Sequence, residues 1–370
     1  MSRDDQTTWI EVNLAAIQRN IKRLNALAGK PVMAVVKANA YGHGLIEVSR
    51  AAAEAGVIRL CVARLEEALR LRENGIETPI LVMGYVMPSR VADAIDKNIS
   101  LMVNSLDLAR QFNEAASGAH KVDIHVKVDS GMHRLGLLAD EVEPFCREVK
   151  KLRHINIEGL FTHFPNADDL ADDSTQEHIA AFATAVEYFH SAGITPSVIH
   201  AANSAASIYF PAARFDAIRP GIAIYGLNPD IGAPLPDGFE PALTWMGRLT
   251  SVKTIPPGEG IGYNYRYRTT KSERIGVASV GYADGLRRRL GNIALIGGKR
   301  VQQVGGMCMD QSLWHLDRVP DAKVGDEIVF LGSQGNERLS AEEVGQLWGS
   351  NNYDVVCGLA ARVPRYYFYR

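Results

Sequence analysis

The 370-residue sequence predicts a (β/α)8 barrel followed by a mostly-β domain, and three patterns carry that prediction. Short apolar, β-branched runs alternate with longer amphipathic stretches, and eight such alternations over roughly 200 residues suit a closed barrel better than an open sheet. Proline, glycine and acidic residues then cluster at residues 228–241, which divides the chain into residues 1–235 and 236–370. Beyond that point, strand-like runs separated by turns replace the alternation. A barrel carries a further expectation: reactive groups belong just after strand ends, on the C-terminal face.

In chain order, residues 8–12 have strand character and 14–27 repeat apolar positions at helical spacing. The barrel strands are expected at 32–36, 60–63, 80–83, 100–103, 122–128, 157–162, 198–201 and 217–225. Helical patterns lie between them at 45–55, 65–73, 89–97, 106–116 and 175–192. In the second half, strands are expected at 244–255, 274–280, 293–296, 301–304, 312–316 and 327–331. Only 341–348 reads as helix there, with Ser340 as N-cap and Glu343 three residues on, a capping box.

Composition narrows the function. Hydrophobic content of 46% and charged content of 22% are those of an ordinary globular protein, and a net charge of -2 gives no reason to expect nucleic acid as a partner. The cysteines Cys61, Cys146, Cys308 and Cys357 show neither a Cys-x-x-Cys pair nor metal-ligand spacing. They read as reduced, mostly buried thiols of a cytoplasmic protein without a metal. The first six residues contain no apolar core of a signal peptide, and no run of roughly 18 apolar residues occurs, so no membrane span is expected.

The chemistry concentrates at Lys37, which ends the run Val32-Met33-Ala34-Val35-Val36. Burial disfavours an ammonium, lowers its pKa and makes the amine a better nucleophile toward carbonyls. On this stretch alone, a lysine that snorkels to solvent and one used as a nucleophile are equal readings.

Val35-Val36-Lys37-Ala38-Asn39-Ala40-Tyr41-Gly42-His43-Gly44 closely resembles the pyridoxal-phosphate (PLP) lysine signature of alanine racemases, the barrel-type (fold-type III) PLP enzymes. Separate motifs extend the resemblance over essentially the whole chain. It implies that Lys37 holds PLP covalently and then serves as one acid/base at the substrate α-carbon, with Tyr41 reaching the cofactor phosphate. Arg219, in Ile218-Arg219-Pro220-Gly221-Ile222, would donate to the PLP ring nitrogen, and His200 would orient it. A guanidinium is no acid at neutral pH, so the ring stays unprotonated and racemisation is favoured over transamination or decarboxylation. Asn203, Ser204, Gly221 and Ile222 would surround the phosphate. His163, in Thr162-His163-Phe164, would pack against the ring; a lone histidine is otherwise more often structural.

Racemisation moves a proton from one face to the other, so two bases are the natural solution. The resemblance assigns the second to Tyr263, in Gly262-Tyr263-Asn264, contributed by the partner subunit of a homodimer. Tyr263, Tyr265 and Tyr267 alternate as on an ordinary strand face, and the Gly-Tyr-Asn context singles out the first. In Gly306-Met307-Cys308-Met309-Asp310, Met309 would offer its backbone amide to the substrate carboxylate, with Cys308 and Asp310 beside it. Tyr282, in Gly281-Tyr282-Ala283-Asp284-Gly285, would narrow the entry channel. Arg134 would contact the tyrosine base and the substrate carboxylate, and Lys127 would be carbamylated, which turns a repelling cation into a pairing anion.

One departure concerns Ala361, in Ala360-Ala361-Arg362-Val363-Pro364-Arg365, where the resemblance leads one to expect a tyrosine near the phosphate. Its absence would widen the pocket, and an extra methylene's volume is worth only about 1–3 kcal/mol of discrimination. His133, bulky between Met132 and Arg134, is a second. The implied function is PLP-dependent racemisation of L- and D-alanine, supplying D-alanine for peptidoglycan. The alternatives are a broader-specificity or serine-type racemase on the same scaffold, a decarboxylase with an acidic residue in place of Arg219, and a non-catalytic PLP-binding protein.

Overall fold

Strands buried on both faces read as unbroken apolar runs, and such runs pair in sequence order in the computed structural model, which describes residues 3–116 and 121–370. The first strand, β1 (Thr8–Asn13), lies outside this sheet. It is followed by β2 (Met33–Val35), β3 (Arg59–Val62), β4 (Ile80–Val82), β5 (Ile99–Val103), β6 (Val122–Lys127), β7 (Ile155–Phe161) and β8 (Val198–His200). The strands β2 to β8 form one parallel sheet in that order. Parallel bridges from Ala217 to His200 and from Ile218 to Val32 join its two edges. The eighth strand is therefore two residues long rather than the nine expected. Pro220 cannot donate to a ladder, and Ile222–Tyr225 wind into a 3-10 turn with all four residues buried. Full burial makes a strand and a turn look alike in sequence.

Helices fill the gaps much as the spacing predicts: Leu14–Ala28, Leu45–Glu54, Leu65–Glu73, Leu106–Ala115 and Ser174–Ser191. The expected helix at 89–97 divides into a 3-10 turn, Pro88–Arg90, and a short helix, Val91–Asp96. A further helix, Ala139–Val149, connects β6 to β7.

The segment after β2 departs from ordinary backbone. Ala38, Asn39, Ala40 and Tyr41 have φ of 53°, 56°, 52° and 51°, a left-handed turn made without glycine. Each L-residue there costs roughly 1–2 kcal/mol. Side chains hold part of it: the Glu67 carboxylate accepts from the amides of Ala38 (2.6 Å) and Ala63 (2.9 Å), and Asn39 Oδ1 accepts from Leu45 N (3.0 Å).

The chain forms two compact units, one of Ile17–Ala40 and Leu45–Glu240, the other of Met1–Ala16, Tyr41–Gly44 and Pro241–Arg370. The second is built on β9 (Leu243–Ile255), which pairs antiparallel with β1, with Glu327–Gln334 and, along its later half, with Glu273–Ala278. Arg365–Phe368 runs parallel to β1, so both chain ends enter one sheet. Trp245, Trp314 and Phe330 form its core, all essentially inaccessible to solvent. Ser340 caps helix Ala341–Leu347 by accepting from Glu343 N at 3.2 Å, as the capping box predicts. A second helix, Asn352–Cys357, adds to the single one expected. Gly42 belongs to this unit and packs against it closely: a Cβ there would lie 2.0 Å from the Val356 carbonyl oxygen, at φ +81°.

No described helix is long and apolar enough to cross a membrane. Cys61 and Cys146 are buried, while Cys308 is half-buried and Cys357 exposed, so burial holds for two of the four thiols.

Candidate active site

The barrel gathers its polar residues where parallel strands end. Lys37 follows β2 by two residues, Lys127 ends β6, His163 follows β7 by two, His200 ends β8, and Arg219 follows the two-residue eighth strand. Arg219 is the centre of the cluster. Its Nη1 donates to His200 Nδ1 (2.7 Å), and its Nη2 donates to the carbonyls of Thr162 (2.7 Å) and Ala201 (3.2 Å) and faces His163 Nδ1 at 3.4 Å. A guanidinium held by this many acceptors in a buried position has one orientation. The Phe161 ring stacks on His200, nearly parallel (7°) at 5.0 Å, and has Lys127 Nζ at 5.2 Å and Arg219 Cζ at 5.4 Å from its centroid.

Burial and positive charge set the protonation states. Burial foremost, then Arg219, keeps His163 and His200 well below the ordinary imidazole range, so both are neutral. Burial and Arg219 also bring Lys127 down to about 7, with Arg134 adding to them and Asp129 alone opposing. Asp129 is held ionised: burial would raise its pKa, but the amides of Gly131 and His133 each donate to Oδ1 at 3.0 Å. His133 stands exposed with φ of 53°, a left-handed position that this Asp129 turn imposes. Arg134 is exposed.

Asn203 caps the short helix Ser204–Tyr209 through Oδ1, which accepts from Ala206 N at 2.9 Å. Ser204 Oγ accepts from the amides of Gly221 (3.0 Å) and Ala223 (3.2 Å). A hydroxyl that accepts twice still carries one proton that it can donate. Gly221 is thus tied to Ser204, and Ile222 opens the adjoining turn.

The β-rich unit has its own cluster. Gly262 bridges Gly306, and the amides of Tyr282 and Ala283 donate to the carbonyls of Cys308 (3.2 Å) and Met309 (3.0 Å). A Cβ at Gly281 would lie 2.2 Å from the Met309 oxygen, so this docking requires glycine. Arg362 ties the loops together, donating to Asp284 (2.7 Å) and Asp310 (2.8 Å). Tyr263, Tyr282 and Met309 are all exposed on the single chain. The strand-like alternation at 263–267 is strand only at its end: Tyr263–Tyr265 is a 3-10 turn in which Asn264 and Tyr265 have φ of 58° and 45°, and Tyr267 opens a two-residue strand, Tyr267–Arg268.

Ala361 lies on an exposed turn, and Tyr353 stands beside Tyr41 with its ring centroid 6.0 Å away. Tyr353 sits one residue into a short helix behind the Asn351 cap, a signal too local to flag it. Sequence reasoning misses His125, fully buried, and Glu158, half-buried beside it; the two-residue strand period, which puts His125 on the same face as Lys127, is a signal that could find the first. Among the described residues no His/Cys/Asp/Glu group could hold a metal ion.

Fold and site define a barrel enzyme whose mouth is built from lysine, arginine and neutral histidine, joined to a β-rich unit with its own polar loop cluster. Models of the alanine racemase N-terminal and C-terminal domains match residues 12–229 and 242–367. The chain is 41% identical over 367 residues to alanine racemase of Symbiobacterium thermophilum, covering 97% of both chains. It resembles the crystal structure of the Bacillus anthracis alanine racemase with bound L-Ala-P, with a TM-score of 0.93, 36% identity and coverage of 98% and 95%. The corresponding values for the Clostridium difficile 630 alanine racemase are 0.94, 35%, 99% and 97%. The chain belongs to the alanine racemase family, a PLP-dependent family, and is an isomerase.

Proposed function

We propose that the protein racemises L- and D-alanine with PLP, using Lys37 of one subunit and Tyr263 of the partner subunit as the two bases of a homodimer. PLP, when bound, supplies the electron sink that acidifies the substrate α-hydrogen. The residues at the barrel mouth suit it: an amine for the aldehyde, an oriented guanidinium for the ring nitrogen, a neutral imidazole for the ring and the Ser204 hydroxyl for the phosphate. Tyr41, Asn203, Gly221 and Ile222 complete the phosphate surroundings.

The observation that carries this reading is Arg219, locked by His200 and three strand-end carbonyls. A donor that cannot release its proton leaves the ring neutral, so the electron pair stays at the α-carbon and is reprotonated there. Lys37 would take or give the proton on one face and Tyr263 on the other. Arg134 and the Met309 amide, flanked by Cys308 and Asp310, would hold the substrate carboxylate, and Tyr282 would restrict entry. A carbamate on Lys127 would replace the cation facing Arg219 with an anion that pairs with Arg134. On this reading residues 1–235 bind the cofactor and residues 236–370 complete a neighbouring subunit's site. D-alanine would serve peptidoglycan synthesis.

Mixing two inactive variants tests the shared site. Lys37→Ala and Tyr263→Phe homodimers, unfolded together and reassembled, should regain about a quarter of wild-type turnover. Half of the dimers would be mixed, and each would carry one intact site. A mixture as inactive as its components, with mixed dimers verified by mass, would refute it.

A further inference from the structure

The interior of a barrel is ordinarily packed with branched apolar side chains. Here a hydrogen-bonded chain of polar groups runs through it. From Arg219 the chain passes to His200 Nδ1 (2.7 Å), from His200 Nε2 to His125 Nδ1 (2.9 Å), and from His125 Nε2 to Glu158 Oε2 (3.1 Å). Glu158 in turn accepts from Ser100 Oγ (2.5 Å) and pairs with Arg59, whose Nη1 donates to Ser100 Oγ (2.8 Å). His125 and His200 are wholly buried. The chain thus leads from strand C-terminal ends down to Arg59 at the start of β3.

Two backbone features exist for this chain. Ile124 pairs with Ile157 but His125 pairs with Gly159, so Glu158 is the extra residue of a β-bulge. A bulge re-aims a side chain that would otherwise follow the pleat. Next to it, a Cβ at Gly159 would lie 2.1 Å from His125 Nδ1. Glycine at that position makes room for the imidazole.

The ends of the chain dictate its direction. A guanidinium only donates and an ionised carboxylate only accepts. His200 must therefore accept at Nδ1 and carry its proton on Nε2; His125 must accept that proton at Nδ1 and carry its own on Nε2. Protonating either imidazole would set two N–H groups against each other. Burial first of all holds both imidazoles below their usual range. The Glu158 carboxyl is held below its own: burial would raise it, but the His125 and Arg59 hydrogen bonds outweigh that.

We infer that Glu158, through His125, is a tautomer lock on His200 and hence a positioning residue for Arg219. The inference rests on the reading of Arg219 as the partner of the PLP ring nitrogen. If the carboxylate becomes an amide that can donate to His125, the direction of the chain is no longer fixed. His200 can then present a proton to Arg219 and push the guanidinium off the ring nitrogen.

The first test needs no variant. NMR of the wild-type protein, labelled with ¹⁵N-histidine, should show both His125 and His200 neutral and protonated at Nε2. A proton on His200 Nδ1 overturns the lock. Then Glu158→Gln and Gly159→Ala, which disturb the chain from different sides, should each lower kcat roughly tenfold with KM little changed. Both should also raise the fraction of turnovers that convert PLP to its amine form by transamination. Ser100→Ala, which leaves the carboxylate in place, should do neither. A purely structural defect lowers both reactions together and leaves their ratio unchanged, and that result overturns the positioning role. If the Nε2 tautomers are found in wild type and lost in Glu158→Gln while the bound-PLP spectrum and reaction ratio stay fixed, it is the reading of Arg219 as ring partner that fails.

Discussion

Carbon dioxide should add to Lys127, and the surroundings of this lysine set how readily. At pH 7.5 an ordinary lysine is neutral in roughly one molecule in 800, whereas one at about 7 is neutral in roughly three of four. The nucleophilic population is several hundred times larger. The step is balanced as amine plus carbon dioxide giving a carbamate anion and a released proton, and it exchanges a cation for an anion beside Arg219. The cation–π contact with Phe161, worth about 0.5–2 kcal/mol, retains the ammonium too weakly to prevent this. In ¹³C-bicarbonate, NMR of the wild-type protein should show a carbamate carbon that is missing from Lys127→Ala. Stability gives a second readout. The unfolded chain keeps the Lys127 proton up to about pH 10.4, while the folded protein releases it near 7, so between those values the unfolded state binds more protons. Stability in carbon dioxide-free buffer should therefore rise with pH, by about 1.4 kcal/mol per pH unit from this group. Bicarbonate should keep that slope and raise the whole profile, because the carbamate forms on the folded protein while the unfolded lysine still holds its proton. No carbamate signal at pH 8 in excess bicarbonate, together with a flat stability profile without it, would refute the argument.

Gly42→Ala combines a positive φ with a Cβ 2.0 Å from a backbone oxygen, and should destabilise the protein by roughly 2–4 kcal/mol in denaturant unfolding. Asn203→Ala removes the cap that accepts from Ala206 N and should cost about 1 kcal/mol by the same assay; thermal melting alone would show it as a shift of a few degrees. Arg362→Ala unties Asp284 from Asp310, so the Met309 loop loosens: KM for alanine should rise more than kcat falls, and the reverse would place Arg362 in a different role.

Much of this was legible in the sequence, for physical reasons that differ by element. The barrel strands appear because parallel strands buried on both faces must be apolar throughout, and their ends appear because Lys37, Lys127 and His200 interrupt those runs. The eighth strand was overextended since Ile222–Tyr225 are equally apolar and equally buried in a turn. The left-handed turn at 38–41 leaves little trace, because alanine and tyrosine carry no signal for positive φ and only Asn39 is of a type that tolerates it; tertiary support from Glu67 selects the turn. Tyr263 was recognisable by its neighbours and not by its alternation, which the structure replaces with a 3-10 turn.

The polar barrel interior follows from one requirement. A buried guanidinium aimed at a neutral acceptor is costly unless every other donor it carries has a partner. Carbonyls at the ends of β7 and β8 supply some of those partners, but a carbonyl tolerates a range of donor angles and does not by itself select one rotamer. An imidazole fixed at Nδ1 does, provided its tautomer is fixed in turn. That displaces the problem one residue inward, to His125, and a neutral imidazole cannot end the chain, because its own tautomer is open. Only a group that accepts and never donates can end it. Glu158 is such a group, and Arg59 keeps it ionised where burial alone would protonate it. A β-bulge and a glycine in β7 are thus structural consequences of keeping one arginine still, 61 residues further along the chain at Arg219.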